Sequence, residues 1–550
     1  MSTAAKVDAL MAALESEYGA VVRTPGGVSW LHSHHVPVRR LLTRLVRRLT
    51  DEVPFHSGED ERDLIVARHQ PSLGYVTYDV SREGMAYLLG TAAIEMPGDE
   101  RHVGEDVADL ALSRTVPTPV CAVSWSSRHV QTLLPVLAEL ARRGVASTVL
   151  DIATESRHAV PTPPDDAISV LRLPKELLAH GGGPPVRALS GTRDGRTLHV
   201  GEYAVPIGRL AALVLGVLRH SADVTQPSWA AAVGIERWLD DVLSRLASSV
   251  FLCSNDTSPP GVLAVRAAER AGADTVYVQH GAWVEGQVAW RAQHCRHIAV
   301  MGARDVLTAR TWSKRADAHV HVVGQPRFDV LTEVDRAAQR RYLEKILAAQ
   351  AGAVPPRIAV WACQPFREEK LRSHFEVVAE GVRRAGSTWG LVVAPHPAQG
   401  ADAYSALLED VGTISVALAD PAVGARGCLA GADALISASS TCGIEAMLLD
   451  VPVLELVLPA TRTLGLADQR AAQRCAASPE ITAALERIAE APHACRVSAA
   501  AKRAICLDVG ASSAAVADVV VTALANATAR GSAPPLGLAA ADTKHGGANR

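Results

Sequence analysis

The sequence predicts an α/β chain with two Rossmann-like doubly wound domains facing a cleft, preceded by an N-terminal accessory segment. Three observations carry this expectation. At 550 residues the chain is too long for one hydrophobic core. Short apolar runs such as 250–253, 391–394 and 434–437 stop abruptly at polar or small residues. Buried parallel strands look like this where their carboxyl ends meet loops. These runs alternate with helical stretches, the pattern of a doubly wound sheet. The expected segments are 1–112 (accessory), 113–345 (first domain), 346–526 (second domain) and 527–550, a disordered tail with little to bury.

Composition narrows the function classes. Hydrophobic residues make up 48%, enough for most of the chain to fold. The formal net charge is -3, which argues against nucleic acid as a partner, and aromatic residues at 4% leave little surface for stacking bases. Nine cysteines are scattered without a C-x-x-C, as expected of reduced thiols in a cytoplasmic protein with no disulfide frame and no metal site. The residues after Met1 read as a helix without the apolar core of a signal peptide. No run of about 18 apolar residues marks a membrane span.

In the accessory segment, 37–49 reads as an amphipathic basic helix. Arg40, Arg44 and Arg47 lie on one face and Leu41, Leu45 and Leu49 on another. Peripheral membrane contact through 37–49 and a plain surface helix are the two readings. His32, His34 and His35 lack the carboxylate or cysteine pattern of a metal site. Residues 63–67 and 75–80 read as strands.

The first domain opens with a βαβ unit: strand 120–125, loop 126–131, helix 132–144 ending at Gly144, strand 146–152. Residues 153–200 are rich in Pro and Gly and read as a long excursion. A helix near 229–248 precedes strand 250–253, the Ser254-Asn255-Asp256 loop, helix 261–271 and strand 275–279, which ends in Gln279-His280-Gly281. Strands follow at 297–301 and 320–323, then the turn Gly324-Gln325-Pro326-Arg327-Phe328-Asp329, with Arg327 and Asp329 as an ion pair. A charged helix and a Pro-rich linker fill 333–355.

The second domain opens with strand 357–363 and a carboxyl-edge loop holding Gln364. Strand 391–394 leads into His396-Pro397. Asp420-Pro421 precedes a short helix at 422–430. Strand 434–437 leads into Ser439, Ser440 and Thr441, good N-caps for a helix at 444–449. A helix N-terminus at the carboxyl edge of a parallel sheet seats a phosphate, and an imidazolium at His396 would add charge.

His396-Pro397, followed by Ser439-Ser440-Thr441 and Glu445, resembles the donor half of GT-B glycosyltransferases. It most resembles the branch of bacterial sialyl- and polysialyltransferases and CDP-glycerol glycerophosphotransferases. Gln279-His280-Gly281 and the G-x-P-R-x-D turn are similar to motifs of the same families. The resemblance implies a metal-independent, inverting transferase with no cofactor besides a nucleotide-activated donor, and a small-molecule or glycan acceptor. His280 would act as base, with Asp256 as the rival, and His396 would stabilise the leaving phosphate. Ser439, Ser440, Thr441, Glu445, Gln364, Pro397 and Gly281 would bind the donor, with Glu445 reaching the ribose hydroxyls. The second acidic residue of a Glu-x7-Glu pair is absent, since Val453 stands there. The acidic motif of sialyltransferases is not evident either. UDP-N-acetylglucosamine 2-epimerases share this architecture and form the alternative. A non-catalytic scaffold on the same fold is the third reading.

Overall fold

The structure is a computed structural model and describes residues 2–20, 22–50, 64–70, 75–90, 116–178, 196–219, 225–283, 292–396, 399, 402–408, 414–459, 461–507 and 509–529. Pro397, the Gly-Pro stretch after residue 179 and the tail from 530 lie outside them.

The N-terminal segment is built from helices Thr3–Tyr18 and His35–Leu49, the antiparallel hairpin β1 (Ile65–Gln70) and β2 (Tyr75–Val80), and helix Arg82–Leu88. Leu41, Leu42, Leu45, Val46 and Leu49 pack into one core with Leu10, Leu14 and Trp30. The apolar face that membrane contact through 37–49 would need is therefore used internally. On the same helix, Arg44 and Arg48 bond Asp79 at 3.2 and 2.9 Å. This core also takes in Val200, Val205 and Leu210, from residues expected in the first domain.

The first sheet has seven parallel strands: β3 (Val120–Ser124), β4 (Ser147–Asp151), β5 (Ile168–Arg172), β8 (Val250–Cys253), β9 (Asp274–Val278), β10 (His297–Val300) and β11 (His319–Val322). Their order is β11-β10-β9-β8-β3-β4-β5. The small hairpin β6 (Thr197–Val200) and β7 (Tyr203–Pro206) stands apart. The second sheet has β12 (Arg357–Ala362), β13 (Trp389–Ala394), β14 (Ser415–Leu418), β15 (Ala434–Ser437), β16 (Val453–Leu456) and β17 (Gln473–Cys475), ordered β14-β13-β12-β15-β16-β17. In each sheet the chain begins centrally, winds one way, then crosses back. The order reverses between β3 and β8, and again between β12 and β15. These are the two switch points, where loops splay apart and leave a crevice. The predicted fold class, two doubly wound α/β halves, holds.

Several local readings change. The predicted loop 126–131 is mostly helix, because Ser126 caps Ser127–Arg142 with its hydroxyl accepting from Arg128 N at 3.3 Å. The excursion 153–200 contains β5, an edge strand whose half-exposed residues lack a continuous apolar run. Residues 422–430 form turns and the 3₁₀ segment Leu429–Gly431 in place of a helix.

Arg327 and Asp329 do not pair with each other. Asp329 accepts from the backbone N–H of Gly510, Ser512 and Ser513 at 2.8, 3.2 and 2.8 Å, and from the Ser513 hydroxyl at 2.7 Å. It thus caps the last helix, Ser512–Ala529, from outside it. By length and composition this helix could cross a membrane. Instead, Val516, Val520 and Leu524 pack with Val120, Leu137 and Val276 of the first half. The last helix thus returns from the second half to the first.

Removing that cap leaves several orphan donors at a helix start. Asp329→Ala should lower stability by about 1–2 kcal/mol in urea unfolding. A loss below about 0.5 kcal/mol would show that solvent replaces the carboxylate without cost.

Candidate active site at the facing switch points

Three elements build the first wall. After β8, the Asn255 side chain accepts from Thr257 N and Ser258 N, each at 3.0 Å, closing a tight turn before helix Pro259–Arg270. Gly261 lets that helix start against the turn, since a Cβ there would overlap the Asn255 carbonyl oxygen. After β9, Gln279 is held by several bonds. Its amide accepts from Met301 N at 2.8 Å and donates to Gly281 O at 3.1 Å and Asp305 at 3.2 Å. Gln325 donates to its carbonyl.

The Gln279-His280-Gly281 turn is therefore rigid, and His280 Nδ1 bonds the Ser254 carbonyl. A carbonyl only accepts, so Nδ1 carries the proton and Nε2 is left with its lone pair. Burial, together with the charges of Arg128 and Arg327, lowers the His280 pKa to about 4. It is a neutral imidazole at neutral pH, in the form a general base requires.

The third element is the first turn of helix Ser127–Arg142, which follows β3. His129 is buried, its ring 5.3 Å from that of His280 and 4.4 Å from Trp125. Burial and the neighbouring His280 push its pKa well below the ordinary range. Arg128, one residue earlier, is exposed.

On the second wall, Ser439 donates to the Gln364 side chain at 3.4 Å, spanning the switch point between β12 and β15. Ser440 accepts from Cys442 N at 3.3 Å and starts helix Cys442–Leu448, two residues earlier than predicted. Thr441 occupies the cap position without a side-chain cap bond. His396 leaves β13, and its N–H donates to the Tyr404 hydroxyl at 3.3 Å. Tyr404 donates to Gln399 at 2.6 Å, and Gln399 donates to Phe366 O at 2.7 Å, so the strand end is braced against the neighbouring loop.

Burial and Arg128 lower the His396 pKa to about 4. The expected imidazolium is thus a neutral ring, and the positive charge of this region comes from Arg128. Because Arg128 also bears on His280, the two histidines, one from each half, share one guanidinium.

Two predicted roles change. Asp256 is fully buried, and its carboxylate accepts from His294 N and Cys295 N at 2.6 and 3.1 Å. Burial raises its pKa to about 6. It holds the 294–295 backbone and offers no exposed oxygen to an acceptor, so it drops out as rival base. Glu445 is 1% exposed and carries two guanidiniums. Arg327 donates to it at 3.0 Å and Arg426 at 2.6 and 2.8 Å. In this state its oxygens are filled by arginine, with none left for ribose hydroxyls. Arg327 also donates to the His280 carbonyl at 3.4 Å, which ties the clamp to the Gln279-His280-Gly281 turn. A cavity of about 600 Å³ lies beside the clamp, between helix Ser127–Arg142 and the 326–333 turn, and Arg327 and Arg426 line it.

The structure therefore groups His280 with His129 and Arg128, and groups Ser439 with Gln364. Gly281 closes the 279–281 turn by accepting from the Gln279 side chain, and Pro397 lies outside the described residues. Arg128, His129, Tyr404 and Arg426 were not singled out from sequence. Only the first two lay in a loop already expected at a carboxyl edge.

No family model matches the chain, and no curated protein matches its sequence. Solved structures do match. The UDP-GlcNAc 2-epimerase from Neisseria meningitidis bound to UDP-GlcNAc is 13% identical, covering 74% of this chain and 99% of that chain, with a TM-score of 0.45. The UDP-GlcNAc 2-epimerase from Methanocaldococcus jannaschii is 12% identical over 73% of this chain and 99% of that chain, with a TM-score of 0.49. MurG from Acinetobacter baumannii is 15% identical over 73% and 99%, with a TM-score of 0.42. Likenesses this distant bear on neither substrate nor chemistry, and the fold stands on the sheet order given above.

Replacing the buried carboxylate leaves two guanidiniums without their partner. Glu445→Gln should cost about 3–5 kcal/mol in urea unfolding, as breaking a buried ion pair does. A cost under about 1 kcal/mol would mean that the clamp contributes little to the native state.

Proposed function

We propose that the protein is a metal-independent transferase that moves a glycosyl or alditol-phosphate group from a nucleotide-activated donor to a hydroxyl or amine. One arrangement carries the reading: the His280 turn of one half, its Nδ1 bonded to the Ser254 carbonyl, is joined through Arg327 to Glu445 of the other half, and the charge of Arg128 bears on His280 and His396 alike. This arrangement suits a reaction in which an acceptor loses a proton on one wall while a phosphate leaves on the other. His280 Nε2 takes the acceptor proton. Arg128, His396 and the hydroxyls of Ser439 and Ser440 stabilise the charge that develops on the leaving nucleoside phosphate, being oriented before it forms. The clamp on Glu445 supports the His280 turn through Arg327. Asp256 and Glu445, the two carboxylates of these motifs, are buried and held by backbone amides and by arginines, so neither stands open for proton abstraction and return, which favours a transferase over an epimerase.

Titration calorimetry with CMP, CDP, UDP, GDP and ADP should find one nucleotide that binds. Arg128→Ala and His396→Ala should each weaken it about tenfold or more, the loss of one charge-assisted or neutral hydrogen bond. Absence of binding by every nucleotide would end the reading. Conversion of donor to an epimer without acceptor would replace it with the epimerase.

The pH profile of kcat/KM reports the free enzyme. His280 has its pKa lowered below the ordinary 6.5 to about 4, so its base form persists as pH falls and is lost only near that value. The acid limb should lie near pH 4, within the range where the protein stays folded by circular dichroism. A limb at pH 6.5 that persists in His280→Gln would assign the base elsewhere.

A further inference from the structure

The cavity of about 600 Å³ beside the Glu445 clamp has no role in the transfer described above. Its volume is in the range that holds a small molecule. Apart from Arg426 and Gly510, the residues that line it belong to helix Ser127–Arg142 and the 326–333 turn, on the side of the first half. Val130, Leu134 and Val330 give it an apolar wall, and Val330 is 52% exposed at the mouth.

Three hydrogen-bonding groups around this cavity are unmet. Pro135 lies inside its helix and has no N–H, so the carbonyl of Gln131, four residues earlier, loses its helical donor. Arg426 uses Nε and Nη2 on Glu445, and its Nη1 has no partner among the described residues. Arg327 donates to Glu445 and to the His280 carbonyl, while its Nε is buried without a partner. Charge is unmet as well, because one carboxylate, Glu445, serves two guanidiniums. Asp329 is committed to the positive N-terminus of the last helix, through three N–H groups and the Ser513 hydroxyl. Glu333 is exposed, where solvent screens it.

We propose that this cavity is the acceptor site of the transfer and takes an acceptor that carries a carboxylate on a short apolar body. The inference rests on the transferase reading. The carboxylate meets Arg426, with Arg327 beside it, since a planar guanidinium fork matches two carboxylate oxygens. The apolar body lies along Val130, Leu134 and Val330. The Gln131 carbonyl accepts from a hydroxyl or amine of the ligand. Because Arg327 also bonds the carbonyl of His280, an acceptor held there lies beside the turn of the proposed base. The single uncompensated positive charge suits a carboxylate better than a dianionic phosphate.

The probes are 6-hydroxyhexanoate and hexane-1,6-diol, which differ only at the charged end, titrated into the full chain and followed by NMR. The carboxylate should bind about tenfold or more tightly than the diol, the effect of one charge-assisted hydrogen bond. Arg426→Gln should abolish that preference. That change also strips a guanidinium from Glu445, so Val330→Glu serves as the second variant. At its half-exposed position it should leave the melting temperature unchanged and weaken the carboxylate about threefold or more by like charge, with a smaller effect on the diol. Equal binding of the two probes, or a preference unchanged in both variants, would overturn the proposal. Nucleotide binding without a carboxylate preference would end the acceptor site alone. A carboxylate preference without binding of any nucleotide would keep the carboxylate site and end the transferase reading together with the acceptor role.

Discussion

The carboxylate of Glu445 is the constraint on which the two halves depend. It lies almost fully buried, and it is held by Arg426 from its own half and by Arg327 from the turn that follows β11. A charge taken out of water is tolerated only when its partners satisfy it, and two guanidiniums supply that compensation. The arrangement is therefore specific before it is stabilising. Arg327 cannot move without leaving Glu445 bare, and the same guanidinium touches the His280 carbonyl. The relative placement of the halves and the position of the His280 turn are thus linked through one guanidinium. The last helix adds an apolar link. It is capped by Asp329, two residues beyond Arg327, and is packed on the first sheet.

Electrostatics divides the labour within the cleft. Histidines on both walls are held neutral by burial, while the exposed Arg128 keeps its charge near them. The tautomer of His280 follows from a single backbone carbonyl, that of Ser254, which in turn is placed by the end of β8. The tautomer of His280 is therefore a consequence of strand register. A shift of β8 against β9 by one residue would remove the acceptor that holds its proton on Nδ1.

Much of this was legible in the sequence, for identifiable reasons. The runs at 250–253 and 434–437 coincide with β8 and β15 because parallel strands buried on both faces read as uninterrupted apolar stretches. The edge strand β5 has no such run and was hidden in a Pro/Gly-rich passage. The polar residues 126–131 read as a loop, although Ser126 begins a helix there. The site residues were legible by type and edge, not by direction. Asp256 and His280 both follow strands of the same sheet, yet one side chain turns inward to backbone amides and the other bonds a carbonyl at the cleft. Arg327 and Glu445 are 118 positions apart, and no local pattern announces such a pair.

The neutral state of His396 also has a consequence for the order of events in the proposed transfer. Its pKa is lowered by burial and by Arg128. An arriving diphosphate brings negative charge to the same place, which opposes both causes: it offsets the guanidinium and gives a protonated ring a partner. Ligand binding should therefore raise this pKa, so proton uptake accompanies the donor and is not already complete in the free protein. His280 faces the other wall and keeps its lone pair, because its Nδ1 proton is committed to the Ser254 carbonyl whatever fills the donor side. The two histidines begin alike, with pKa values near 4, and on the proposed reading the donor's charge acts on His396 and leaves His280 in the form it already has. On this reading the donor's charge, and not the resting protein, sets the difference between the two rings.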